Sequence, residues 1–87
     1  MAIDLTLTEF LIARITERRR TALRNEAGSR LMTECDALRR IVELHSAGPG
    51  QHPDFCGHDL WKLPCPTLRH LGSIYFAHPG YQSEWAP

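Results

Sequence analysis

The sequence predicts an all-α fold, a small three-helix domain with a long loop between helices two and three. Apolar residues recur at spacings of 3 and 4 between Leu31 and His45. Helix-opening signals stand at Thr6 and Pro66, and no stretch alternates apolar and polar residues as a half-buried strand would. With 87 residues the chain makes one domain, 1–87, whose core is small for its surface. A domain of this size commonly needs a staple such as a metal, a disulfide or a second chain.

The first helix is predicted from Leu7 to Leu23 or Arg24. Thr6 and Glu9 fit a capping box, in which the hydroxyl accepts a backbone N–H and the carboxylate returns the bond, and Leu5 and Phe10 take the positions of a hydrophobic staple. Leu7, Phe10, Leu11, Ile15, Ala22 and Leu23 form its apolar face, widened by Ile12 and Ala13. Residues 16–21 are almost all polar and are expected to be solvated on most sides. Residues 25–29 read as a turn around Gly28, with Ser29 as the N-cap of the next helix. In that second helix Leu31, Cys35, Leu38, Val42 and His45 share one stripe, which Ile41 and Leu44 broaden. It is expected to stop near Ser46, because Gly48, Pro49 and Gly50 follow. The third helix begins at Pro66, with Cys65 as its cap residue, and Pro79 ends it after His78. Leu68, Leu71, Ile74 and Tyr75 make its apolar face, and Gly72 admits a close helix crossing. Tyr81 and Trp85 in the tail are expected to fold back over the end of the bundle.

Composition narrows the function classes. Hydrophobic residues at 43% and charged residues at 23% belong to a globular domain rather than a disordered one. Ten basic residues balance ten acidic ones, so overall charge does not hold this chain to nucleic acid, although a local patch still could. No apolar run approaches the ~18 residues of a membrane span. Asp4, Glu9 and Arg14 interrupt the first apolar stretch, so it does not read as a signal peptide. A cytoplasmic setting is therefore expected, in which the three cysteines, an odd number, stay reduced.

Those thiols point to a metal. Residues 46–64 would be a structureless connection of improbable length unless something held it. His45, His52, Cys56, His58 and Cys65 all fall in or beside it. Zinc takes four ligands, thiolates and imidazoles at ~2.0–2.3 Å, in a tetrahedron. Cys35 is excluded by length: a helix rises ~1.5 Å per residue, which puts it roughly 15 Å from His45. It reads as a small core residue. His45 lies on the apolar stripe at the last turn of helix two, Cys65 lies at the start of helix three, and Cys56 lies between them. One ion bound by all three would tie both helices to the loop. For the fourth ligand His52 and His58 compete. His52-x3-Cys56 is a usual ligand spacing and Cys56-x-His58 a tight one, so the predicted set is His45, His52, Cys56 and Cys65.

Four segments carry a resemblance. They are Arg39-Arg40-Ile41-Val42-Glu43-Leu44-His45, Cys65-Pro66-Thr67-Leu68-Arg69, Tyr75-Phe76-Ala77-His78-Pro79-Gly80-Tyr81 and Glu84-Trp85. Together they resemble a family of short actinobacterial and actinophage proteins built around a domain of unknown function. The likeness extends over nearly the whole chain. Many members have a pair of cysteines before the Pro-Cys step. This chain keeps the later one, Cys56, and has Pro53 in place of the earlier, with His52 adjacent. The resemblance therefore implies His52 as a substitute ligand, and it implies no activity.

Other constellations carry less. Arg14, Arg18, Arg19, Arg20 and Arg24, against Glu17 alone, make a stretch of net charge +4 that could meet phosphate or an acidic partner. The plainer reading is a solvated helix face. Helix three offers only Arg69, His70 and Ser73 as polar readers, too few for major-groove recognition. No paired carboxylates, phosphate-binding glycine loop or HExxH helix is present, so an enzyme is not expected. The expectation is an intracellular or phage-encoded zinc-binding accessory protein that contacts a protein partner. A nucleic-acid-associated regulator using the arginines of helix one is the alternative, and the half-polar first helix leaves a homodimer open.

Overall fold

The computed structural model describes residues 6–24, 28–46, 55–58 and 62–87. Three α-helices run in order: α1 (Leu7–Leu23), α2 (Gly28–Leu44) and α3 (Pro66–Gly72). Single turns of 3₁₀ helix follow at Ser73–Tyr75 and Ser83–Trp85. Among the described residues the extended pairing is confined to one isolated antiparallel bridge, Phe55 with Lys62. The all-α, three-helix fold class is thus observed.

α1 begins where the capping box placed it. The Thr6 hydroxyl accepts the Glu9 backbone N–H at 3.2 Å, and the Glu9 carboxylate accepts the Thr6 N–H at 3.1 Å. The Thr6 backbone N–H, and after it the Thr6 hydroxyl, which donates to the carboxylate at 2.9 Å, hold the Glu9 carboxyl below its ordinary value. The staple residue Leu5 lies outside the described residues. α2 starts one residue earlier than its expected Ser29 cap, at Gly28.

The core is one cluster. Leu7, Phe10, Leu11 and Ile15 of α1 meet Cys35 and Val42 of α2, Leu68 of α3, Cys56, Cys65 and Trp85. Burying side chains such as Phe10 or Leu68 stabilises the fold by about 1.5–3 kcal/mol each. The tail closes one end: Trp85 packs on Phe10 with ring centres 5.1 Å apart, and Tyr81 meets both rings edge-on. Arg69 fastens this tail by donating to the carbonyls of Pro64 (3.0 Å), Glu84 (2.8 Å) and Ala86 (3.1 Å).

Several expected core residues lie at the surface instead. Leu23, Ile41, Leu44 and Ile74 are exposed. With so few packing partners, α2 buries only the centre of its stripe, Cys35, Val42 and His45, while Leu31 and Leu38 are half-buried. α3 is also shorter than expected: its α-helical part ends at Gly72, and the chain tightens into a 3₁₀ turn before reaching His78. Ile74 lies in that turn and is exposed.

Glycines set two close approaches. A Cβ on Gly72 would come within 3.0 Å of Leu7 Cδ1, a side-chain atom that can shift. A Cβ on Gly28 would run into the carbonyl group of Ala22, a backbone group that cannot. Gly28→Ala is therefore expected to lower stability by about 1–3 kcal/mol through overpacking at the α1–α2 crossing. In urea titrations the midpoint should fall with the slope unchanged.

Candidate metal centre

Three chain segments deliver one ligand each. The α2 stripe runs on to His45, the residue directly after that helix, whose N–H is still bonded to the Ile41 carbonyl (3.1 Å). The next residue, Ser46, accepts the Gly57 N–H at its carbonyl (3.0 Å), which draws the loop against the end of α2 and sets Cys56 beside His45. Cys65 precedes Pro66, the first residue of α3, and occupies that helix's N-cap without capping it through its side chain. Leu68, in the first turn of α3, is fully buried in the same core cluster as Cys65.

The result is a convergence of His45, Cys56 and Cys65, whose ligand atoms all lie within 4.8 Å of one another. Cys56 Sγ stands 3.4 Å and Cys65 Sγ 3.6 Å from His45 Nδ1. All three residues are buried, the two sulfurs completely so. Two thiols and an imidazole meeting at one point can hold a metal ion. The loop also engages the donor: the His58 backbone N–H points at Cys56 Sγ, 3.4 Å away.

Electrostatics at Cys65 differ from the simplest reading of its position. A helix N-terminus favours a thiolate, and the Leu68 and Thr67 backbone N–H groups do pull the Cys65 thiol down. Burial outweighs them, with help from the Cys56 sulfur, so the thiol stands above its ordinary value. A cation held at this point would reverse the balance, because metal-bound cysteines are thiolates.

The other predicted residues are placed as follows. His52 lies outside the described residues. His58 is described: its side chain is exposed, and its ring centre lies 4.9 Å from that of His45. Sequence spacing had ranked it second. The Gly57 N–H bonded to the Ser46 carbonyl holds this turn against the end of α2, and the His58 N–H is directed at the Cys56 sulfur. Cys35 is fully buried in the core cluster and stands apart from the three converging residues.

The arginines of α1 do not present one face. Arg14 is largely covered: its guanidinium contacts His78, pairs with Glu17 at 3.1 Å and lies 5.2 Å from the centre of the Phe10 ring. Arg19 pairs with Asp36 of α2 at 2.9 Å. Arg18 is half-buried, whereas Arg20 and Arg24 are exposed.

Residues 23–87 match the model of a family of unknown function, DUF6221. The chain belongs to this family. Compared with curated proteins and with solved structures, it finds no match. The DUF6221 region contains His45, Cys56 and Cys65 together with α2 and α3, while nearly all of α1 precedes it. Among the described residues no helix is long and apolar enough to cross a membrane.

The division among the cysteines is directly testable. Cys35→Ala should leave the amount of metal carried per chain unchanged. Cys56→Ala and Cys65→Ala should each lower it, as read by elemental analysis after gel filtration.

Proposed function

We propose that this chain is a small zinc-binding accessory protein whose ion is structural and whose role is to contact another protein. The observation that supports zinc is the pair of distances from His45 Nδ1 to the two sulfurs. A tetrahedral ion with zinc–sulfur bonds of ~2.3 Å and zinc–nitrogen bonds of ~2.0–2.1 Å has a sulfur–nitrogen edge of about 3.5 Å. The two edges here are 3.4 and 3.6 Å. Thiolate with imidazole is a donor set that suits zinc, and calcium or magnesium would ask for oxygen.

A structural role fits the placement. The ligands come from the end of α2, the loop and the start of α3, so an ion there adds cross-links to a small core. The described cavity, about 440 Å³ between α1 and α2, is lined by residues such as Ile15, Arg20, Cys35 and Arg39 and not by the metal ligands. That cavity lies apart from His45, Cys56 and Cys65, so the described pocket and the ligand cluster are separate features.

A protein partner is favoured over nucleic acid. The formal net charge is +0, and two of the five arginines are engaged within the fold, Arg14 with Glu17 and His78 and Arg19 with Asp36. Large apolar side chains remain at the surface instead, among them Phe76 at 74% and Ile74 at 58% exposure. The resemblance of the C-terminal segments to actinobacterial and actinophage proteins supports an intracellular or phage-encoded setting.

Native mass spectrometry should find one zinc per chain, and a strong chelator should abolish or sharply lower the cooperative thermal transition. A metal-free chain that melts cooperatively and ignores the chelator would overturn the zinc reading. Binding to duplex DNA should be weak even at low salt and should not change in the Arg18→Glu, Arg19→Glu, Arg20→Glu triple variant. Tight binding that falls steeply with salt and is lost in that variant would instead favour the nucleic-acid regulator.

A further inference from the structure

We infer that His58 is the fourth ligand and closes the site as a two-sulfur, two-nitrogen tetrahedron. The inference rests on the zinc reading and specifies its geometry. Two imidazoles that share one tetrahedral ion through bonds of ~2.0–2.1 Å stand with ring centres about 5 Å apart. The rings of His45 and His58 are 4.9 Å apart and inclined at 49°. They are thus already spaced as a ligand pair.

The backbone holds them so. His58 is two residues beyond Cys56, and its own N–H donates to that residue's sulfur at 3.4 Å. The Gly57 N–H is bonded to Ser46, the neighbour of His45, at 3.0 Å. The turn 56–58 is therefore anchored at one side to a ligand sulfur and at the other to the end of α2. The His58 side chain leaves this turn within reach of the same point. Its ring nitrogens stand outside the group formed by the other three ligand atoms. Ligation by His58 requires its ring to turn toward that group, a change in the side chain of an exposed residue. His45, Cys56 and Cys65 are buried, so the outward corner of the tetrahedron is the one left for a ligand arriving from the surface.

The consequence is chemical. A zinc that keeps a water in its fourth position can activate it, whereas one held by four side chains cannot. With His58 in place the ion has no open position and acts as a clasp. The partner-binding role then belongs to the surface and not to the ion.

The test measures zinc affinity of the full chain by competition with a chromophoric chelator and records the visible spectrum of the cobalt-substituted protein. His58→Ala should weaken zinc about tenfold or more, at least as much as losing an outer partner of a ligand does. Its cobalt spectrum should change, and added imidazole should restore that of the unaltered chain. His52→Ala should change neither readout. Wild-type affinity and spectrum in His58→Ala would overturn the inference while leaving the zinc reading intact, and so would a loss confined to His52→Ala. A wild-type chain that binds no zinc at all would overturn both.

Discussion

The architecture depends on three donor atoms from three chain segments reaching one point. A helix end, a loop and a helix start are joined there, and each arrives by a different device. His45 comes by the period of α2. Cys56 comes by the backbone bond from Gly57 to the Ser46 carbonyl (3.0 Å), and Cys65 by the proline that opens α3. Burial in this corner has opposite effects on its parts. It suits the sulfurs as small apolar atoms, yet it penalises them as thiolates, and the raised Cys65 thiol records that tension. A divalent cation held there would resolve it, because its positive charge would offset that of the buried thiolates.

α1 carries much of the apolar core although it lies almost wholly before the DUF6221 region. Leu7, Phe10, Leu11 and Ile15 are buried against α2, α3 and the tail. Phe10 stands at the centre, with Tyr75, His78, Tyr81 and Trp85 arranged around its ring. The family segment thus brings the ligands and the aromatic tail, and the preceding helix brings the apolar face they close upon. The two halves depend on each other, since an aromatic tail without Phe10 would have little to cover.

Local rules were legible in the sequence wherever one residue type decides the outcome. Thr6 with Glu9 marked the start of α1, Pro66 marked the start of α3, and the spacing of Cys35, Val42 and His45 placed all three on the buried side of α2. The convergence of His45, Cys56 and Cys65 followed from that period and from the length of the loop. What failed to show was how much of each face would find a partner. Ile41 and Leu44 are as apolar as Val42, and nothing in their spacing says that no helix lies opposite them. The start of α2 was misplaced by one residue for a similar reason. Gly28 reads locally as a turn residue, but it is needed where it stands because α1 returns to within contact of its Cα, which is a fact about two helices at once. Spacing along the chain also does not register that His58 stands beside His45, because that nearness comes from the way the loop folds against the end of α2.

The site is also coupled to the core by a route that passes through neither sulfur nor imidazole. Arg69 of α3 donates to the Pro64 carbonyl, immediately before Cys65, and its Nη1 donates to the Glu84 and Ala86 carbonyls on either side of Trp85. Trp85 in turn lies on Phe10 of α1. One guanidinium therefore sets the distance between a ligand cysteine and the aromatic plug of the bundle. A planar fork with several donors can bridge carbonyls in this way, whereas the ammonium of a lysine offers no fixed geometry. The metal corner and the aromatic end are then two ends of one hydrogen-bonded strut. In a domain with so small a core, three bonds from one guanidinium thus tie the segment before Cys65 to the segment that carries Trp85.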